Sequence, residues 1–311
     1  ASATPIGFKP VTSGGINGKV FNDANGNGIL ESGEAGLSGA TIALFEVKPD
    51  GTPDLTKPLK DASGKPITAT TDASGNYSFS GIPSGPVAIL VTDPSGKVLT
   101  TANNPQVVTV PSGAAVTGAP VGYVQPKIDL TLTPDVTVVT PGDNLPYTAV
   151  ITNNTPGTIT PLNNPVFNVT LPKGVLYDPT KPVTVDGMVI PAGNISVKVD
   201  PTDPSRQILT IKLPSSLVNN VPQTVKFNTV VTPAVDPNKP LIAVGQVSAT
   251  AGAGVTAVSV SSNAVAAAAV GINLGVFSTD TIILGRVYFD RNDNNNFDAG
   301  DVPLPGARVS Q

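Results

Sequence analysis

Proline and glycine interrupt this chain so often that no long helix fits between them. Pro 32 and Gly 31 together make about a fifth of the 311 residues. Between them lie short alternating stretches rich in Val, Ile, Leu, Ala and Thr, a pattern that suits half-buried strands joined by tight turns. No long stretch carries apolar residues at helical spacing between caps. The recurring alternation also weighs against disorder, which such a proline content could otherwise suggest. The fold class expected is all-β.

The alternation divides into successive blocks. Residues 1–15, with Pro5, Pro10, Gly14 and Gly15, read as a leader. Residues 16–124 carry strand patterns at INGKVF, GATIALFEV, the segment around Tyr77 and Phe79, VVTV and GYV, and read as one β-sandwich. The stretch 48–66 reads as a long loop or hairpin, and TDASGN as a turn between strands. A second antiparallel sandwich is expected over 125–270, opening on 128-IDLTLT-133, whose Ile128, Leu130 and Leu132 share one face. Residues 271–280 read as a linker, and 281–311 restart the first block. The most apolar run, 264–277, has 14 residues. That is too few to cross a bilayer core of roughly 30 Å as a helix, so no membrane insertion is expected in this segment.

The restart is in register. At a constant offset of 267, Val20 meets Val287, Phe21 meets Tyr288, Asp23 meets Asp290, Glu34 meets Asp301 and Gly39 meets Gly306. A gapless match of this length is an internal repeat. Since half a sandwich buries its apolar face poorly, either the sequence is an excerpt of a longer repeat protein or another chain supplies the missing strands. The absence of an initiator Met and of a signal segment also suggests a mature form or an excerpt.

What repeats is an acidic, Asn-rich loop with the spacing D-x-N-x-N-G-x5-E. With Asp23 as position 1, Asn25 and Asn27 fall at 3 and 5, Gly28 at 6, Ile29 at 7, Glu31 at 9 and Glu34 at 12. Alternate side chains of a tight loop point inward, Gly28 permits the sharp turn, and Ile29 offers its carbonyl. The last carboxylate can close the shell with both oxygens. Ca2+ takes six to eight such hard oxygens, and three carboxylates within twelve residues repel one another without a cation. The second loop offers Asp290, Asn292, Asn294, the Asn296 carbonyl, Asp298 and Asp301. There Asn295 stands in place of Gly at position 6, and Asp301 is one methylene shorter than Glu34, so a weaker site is expected. The flanks are β-rich, unlike the helices of an EF-hand. The rival reading is a polar Asx-rich turn without metal.

KVFNDANGNGILESGEAGLSGATIALFE, followed by TTDASGNYSFSGIPSG, resembles the SdrD B-like repeats of bacterial surface proteins. The resemblance implies calcium-binding, transthyretin-like (prealbumin-like) sandwiches related to collagen-adhesin B-type domains. IDLTLTPDVTVVTPGDNLPYTAVITNNTPG resembles the DUF11 family of immunoglobulin-like repeats. Both families are mostly scaffolds of prokaryotic surfaces, so the location implied is extracellular, at the cell surface.

Catalysis is not expected. With no His and no Cys, the usual triads, thiol nucleophiles and zinc sites have no residues to draw on. A net charge of −4 argues against a nucleic-acid partner, and the absence of Trp against an aromatic stacking platform. Related B-type domains carry an isopeptide bond between a buried Lys and an Asn or Asp on an adjacent strand; Lys19 is the candidate here, although Arg286 replaces it in the repeat. The sequons at Asn153, Asn168 and Asn194 fit chance in an Asn- and Thr-rich chain. The function expected is a non-catalytic structural surface component (stalk, fibre or surface-layer array) stiffened by Ca2+. Its partners would be copies of itself or neighbouring surface domains. Two alternatives stand beside it: an adhesin binding a host or matrix ligand, and a filament subunit assembling by strand addition through 281–311.

Overall fold

The computed structural model describes residues 12–93, 96–157, 161–252, 257–273, 288–291 and 298–303. The chain divides into two compact units, residues 1–272 and 273–311.

The first unit opens with ten strands: β1 (Ser13–Asn22), β2 (Thr41–Val47), β3 (Pro53–Pro58), β4 (Thr68–Thr70), β5 (Asn76–Pro83), β6 (Gly85–Thr92), β7 (Val98–Leu99), β8 (Gln106–Val110), β9 (Ala115–Thr117) and β10 (Val121–Val124). One sheet has the order β5-β1-β10-β7, with β9 also on β1; the other runs β3-β2-β6-β8, with β4 on β2. The inward residues of both meet in one core, including Ile16, Val20, Ile42, Leu44, Tyr77, Phe79, Ile89 and Tyr123. Tyr77 and Phe79 share a face, as their spacing requires, with ring centroids 6.1 Å apart. β1 begins at Ser13, inside the span read as a leader. The stretch read as loop or hairpin holds β3, which pairs with β2.

The strands that follow are β11 (Ile128–Pro134), β12 (Val138–Val139), β13 (Asn144–Asn153), β14 (Asn163–Thr170), β15 (Val175–Tyr177), β16 (Thr184–Val185), β17 (Met188–Val189), β18 (Ile195–Asp200), β19 (Asp203–Lys212), β20 (Pro222–Val231), β21 (Val244–Ala251), β22 (Val258–Ser261), β23 (Val265–Ala266) and β24 (Gly271–Ile272). They form sheets ordered β11-β13-β20-β16-β17 and β18-β19-β14-β21-β22. Alternation along β13, buried at every second residue from Leu145 to Asn153, turns one face inward. The core between the sheets is centred on Tyr147 stacked on Phe227 at 5.3 Å, with Phe167 edge-on. β24 lies within the span read as a linker and pairs with β12.

Most pairings are antiparallel. The exceptions join early strands to late ones: β1 runs parallel to β9 and β10, and β12 to β24. A parallel neighbour cannot be reached by a tight hairpin, so these contacts join residues separated by most of each block. Among the described residues no helix is long and apolar enough to cross a membrane.

In the second unit, β25 (Tyr288–Phe289) pairs with β26 (Val302–Pro303).

Candidate metal site

The loop from Asp23 to Glu34 leaves the end of β1 and returns to it. Asn22 N donates to Ala35 O at 2.8 Å, and Phe21 bridges Gly36 antiparallel. The frame is a strand pair, in keeping with the β-rich flanks.

Asp23 is fully buried. Its Oδ1 accepts from the N–H groups of Gly26 (2.7 Å) and Asn27 (3.2 Å), and its Oδ2 from Gly28 (2.7 Å). Three backbone dipoles converging on one carboxylate offset the cost of burying its charge. Gly28 sits at φ +77°, the left-handed turn that position 6 requires. The Glu34 carboxylate spans the other end: Oε1 accepts from Ala24 N and Oε2 from Glu31 N, both at 3.0 Å. Between them, Asn25 Oδ1 accepts from Asn27 N at 3.0 Å and Asn27 Oδ1 from Ile29 N at 2.8 Å. Their amide nitrogens donate to Glu31 at 2.8 and 3.1 Å. The Ile29 side chain is exposed, so the residue has only backbone to offer.

The structure thus gathers Asp23, Asn25, Asn27, Glu31 and Glu34 into one network around a tight turn. Every side-chain donor available to a metal there is oxygen, which fits Ca2+ and not a thiol- or imidazole-seeking ion. No three acidic side chains among the described residues form a carboxylate cluster. A cation here therefore depends on amide and carbonyl oxygens as well as on the acids.

The repeated loop reproduces the closing clamp. Arg291 N donates to Asp301 Oδ1 at 3.1 Å and Asp298 N to Asp301 Oδ2 at 2.9 Å, the counterparts of the two Glu34 contacts. Tyr288 pairs with Pro303, the positions equivalent to Phe21 and Gly36. The shorter Asp301 still spans both amides. Asp290 follows directly on β25, as Asp23 follows β1. Asn292, Asn294 and Asn296 lie outside the described residues.

Two other candidates meet physical objections. Lys19 faces Asn76 across β1 and β5, but Lys19 is only half-buried and Asn76 is exposed. Isopeptide formation needs a desolvated amine, and this pair lies at the sheet surface. Asn153 is fully buried, with its amide donating to Leu217 O and its oxygen accepting from Thr155, so it cannot serve as a glycan acceptor in the folded chain.

Residues 14–125 match the SdrD B-like domain. Over 111 residues the chain is 35% identical to serine-aspartate repeat-containing protein F of Staphylococcus epidermidis, a match covering 35% of this chain and 6% of that protein. Serine-aspartate repeat-containing protein D of Staphylococcus aureus is 35% identical over 83 residues, 26% of this chain and 5% of its own. Colossin-A of Dictyostelium discoideum is 26% identical over 323 residues, covering 94% of this chain and 3% of its own. The chain thus spans 6% or less of the length of these relatives. Among solved structures, the full-length major pilin SpaD of Corynebacterium diphtheriae overlaps 84% of this chain and 68% of its own, at 18% identity and a TM-score of 0.45. That likeness is too distant to carry an argument about function.

The SdrD B-like domain ends where the second sandwich begins, and the loop lies at that boundary. Asp23 N donates to Tyr123 O at 2.8 Å, which ties position 1 to the last strand of the domain. The turn Asn153–Gly157, on the far side of the boundary, lies in the DUF11-like stretch, but nothing in that pattern marked it as a partner of the loop. Pro156 and Gly157 meet Gly26 across more than a hundred residues of chain, and Asn219 braces their turn.

Proposed function

We propose that this chain is a non-catalytic structural segment of a bacterial cell-surface protein, a stalk, fibre or surface-layer component whose SdrD B-like domain is rigidified by Ca2+ at Asp23–Glu34. The observation that carries the reading is the oxygen-lined loop, whose closing carboxylate clamp recurs at Asp301 in the repeat. Asp23, Asn25, Asn27, Glu31, Glu34 and the Ile29 carbonyl would hold the ion. The second sandwich, with its DUF11-like opening, would act as a spacer, and the neighbours in an array would be copies of the chain or adjoining surface domains.

An ion that binds the folded loop and not the unfolded one stabilises by RT ln(1 + [Ca2+]/Kd), about 2.7 kcal/mol at a hundredfold excess over Kd. Calorimetric melting should therefore show a Tm that falls in EDTA and is restored by Ca2+ better than by Mg2+. Identical melting curves in EDTA and in Ca2+ would remove the calcium reading.

A further inference from the structure

We infer that loop 23–34 and turn 153–157 form one coupled joint, through which Ca2+ bound in the first sandwich sets the freedom of the second. The inference rests on the calcium reading above and adds the element that receives the signal.

The contact is backbone on backbone. Gly26, the fourth residue of the loop, is buried at φ +70°. A Cβ there would run into the Pro156 carbonyl, and a Cβ on Gly157, at φ +84°, would run into the Gly26 carbonyl. Two glycines facing each other allow an approach that no side chain permits. Each is fastened to its own sandwich. The Gly26 N–H is held by Asp23 Oδ1 at 2.7 Å. On the other side, Asn219 Nδ2 donates to Thr155 O at 2.8 Å and to Gly157 O at 2.6 Å. The buried Asn153 carboxamide holds Thr155 from below, and Thr155 Oγ1 accepts from Lys127 N, in the connection between the sandwiches, at 2.9 Å.

The same Asp23 carboxylate is thus position 1 of the cation loop and the anchor of the residue that touches the second sandwich. Without a cation, repulsion among Asp23, Glu31 and Glu34 lets the loop shift as a unit: Gly26 keeps its bond to Asp23 but loses its fixed place against Gly157. With a cation the loop has one shape, and the joint has one seat. Coupling of this kind is reciprocal: a joint that is stiffened by Ca2+ must itself help the loop to bind Ca2+.

The chain has no cysteine, so Ala62→Cys and Lys198→Cys, both exposed and one in each sandwich, accept spin labels uniquely. An Asp301→Asn background weakens the repeated loop. Pulsed electron spin resonance then reads the distance distribution between sandwiches, and equilibrium dialysis reads Ca2+ binding directly. The expected result is a distribution that narrows with Ca2+. In Gly157→Ala the narrowing should be lost and Ca2+ affinity should fall by about fivefold. Asn219→Ala, which frees the turn without crowding Gly26, should do the same and decides the matter if Gly157→Ala does not fold. Dialysis that shows Ca2+ bound, with an unchanged distribution or with variants that narrow like the parent, overturns the coupling and leaves the calcium reading standing. Dialysis that shows no Ca2+ bound removes both.

Discussion

Asp23 has two separable duties. Its carboxylate accepts from the N–H groups of Gly26, Asn27 and Gly28, bonds that need no ion, whereas among the described residues Glu31 is held only by the amides of Asn25 and Asn27 at the exposed rim. Removing the acceptor beneath a buried N–H costs roughly 1–3 kcal/mol. Asp23→Ala should therefore lower stability by about 2 kcal/mol even in EDTA. Glu31→Gln, which removes one of the three repelling charges, should not lower stability in EDTA and should shrink the increment that Ca2+ adds. Urea unfolding of both variants, with and without EDTA, checks the difference. The sequence motif made Asp23 and Glu31 look alike, because spacing reports which residues can reach an ion and not which of them the backbone also needs.

Among the elements, one turn recurs throughout. At Asp50/Thr52, Asp61/Ser63, Asp178/Thr180, Asp200/Thr202 and Asp203/Ser205 a carboxylate accepts from the N–H and the hydroxyl two residues on. Bonds made to the ionised form hold that carboxylate below its ordinary range. For Asp61 the chief cause is the Ser63 hydroxyl, and for Asp72, in the TDASGN turn, the Asn76 N–H. A carboxyl depressed in the folded state adds stability that is present above its unfolded pKa and is lost as pH falls through its folded one. Tm should hold above about pH 5 and drop below about pH 4. Asp61→Asn, which keeps an acceptor oxygen but does not titrate, should flatten part of that drop in a pH series of thermal melts. These turns were legible as Asp-rich punctuation. Their role in setting acid sensitivity needed the geometry.

Across the first unit, the two sandwiches are not beads on a string. Val98 on β7 and Val124 on β10 belong by chain to the first sandwich, yet they are buried with the core of the second, alongside Ile128 and Leu130. Only a few residues separate β10 from β11, and Lys127 is bonded on both sides, to Thr155 Oγ1 and to Asn154. Truncating a side chain that stands on a strand of one sandwich and packs into the core of the other should be felt by both. Val124→Ala is expected to cost about 2 kcal/mol and to lower the melting of the second sandwich together with the first, as differential scanning calorimetry would show. A fall confined to the first sandwich would mean that the shared packing does not transmit.

The sequence by itself determined the all-β class, the loop and its repeat, because these depend on local terms: turn residues, period-two alternation and fixed ligand spacing. It marked Tyr77 with Phe79, and Ile128 with Leu130 and Leu132, as faces, but could not say which sheets would bury them together. The parallel closures of β1 on β10 and β12 on β24, the strand character of Ser13–Gly15 and of Gly271–Ile272, and the seating of Gly26 on Gly157 were decided only in the tertiary structure. Each joins residues far apart in the chain, where loop closure and packing rule and no local pattern records the partner.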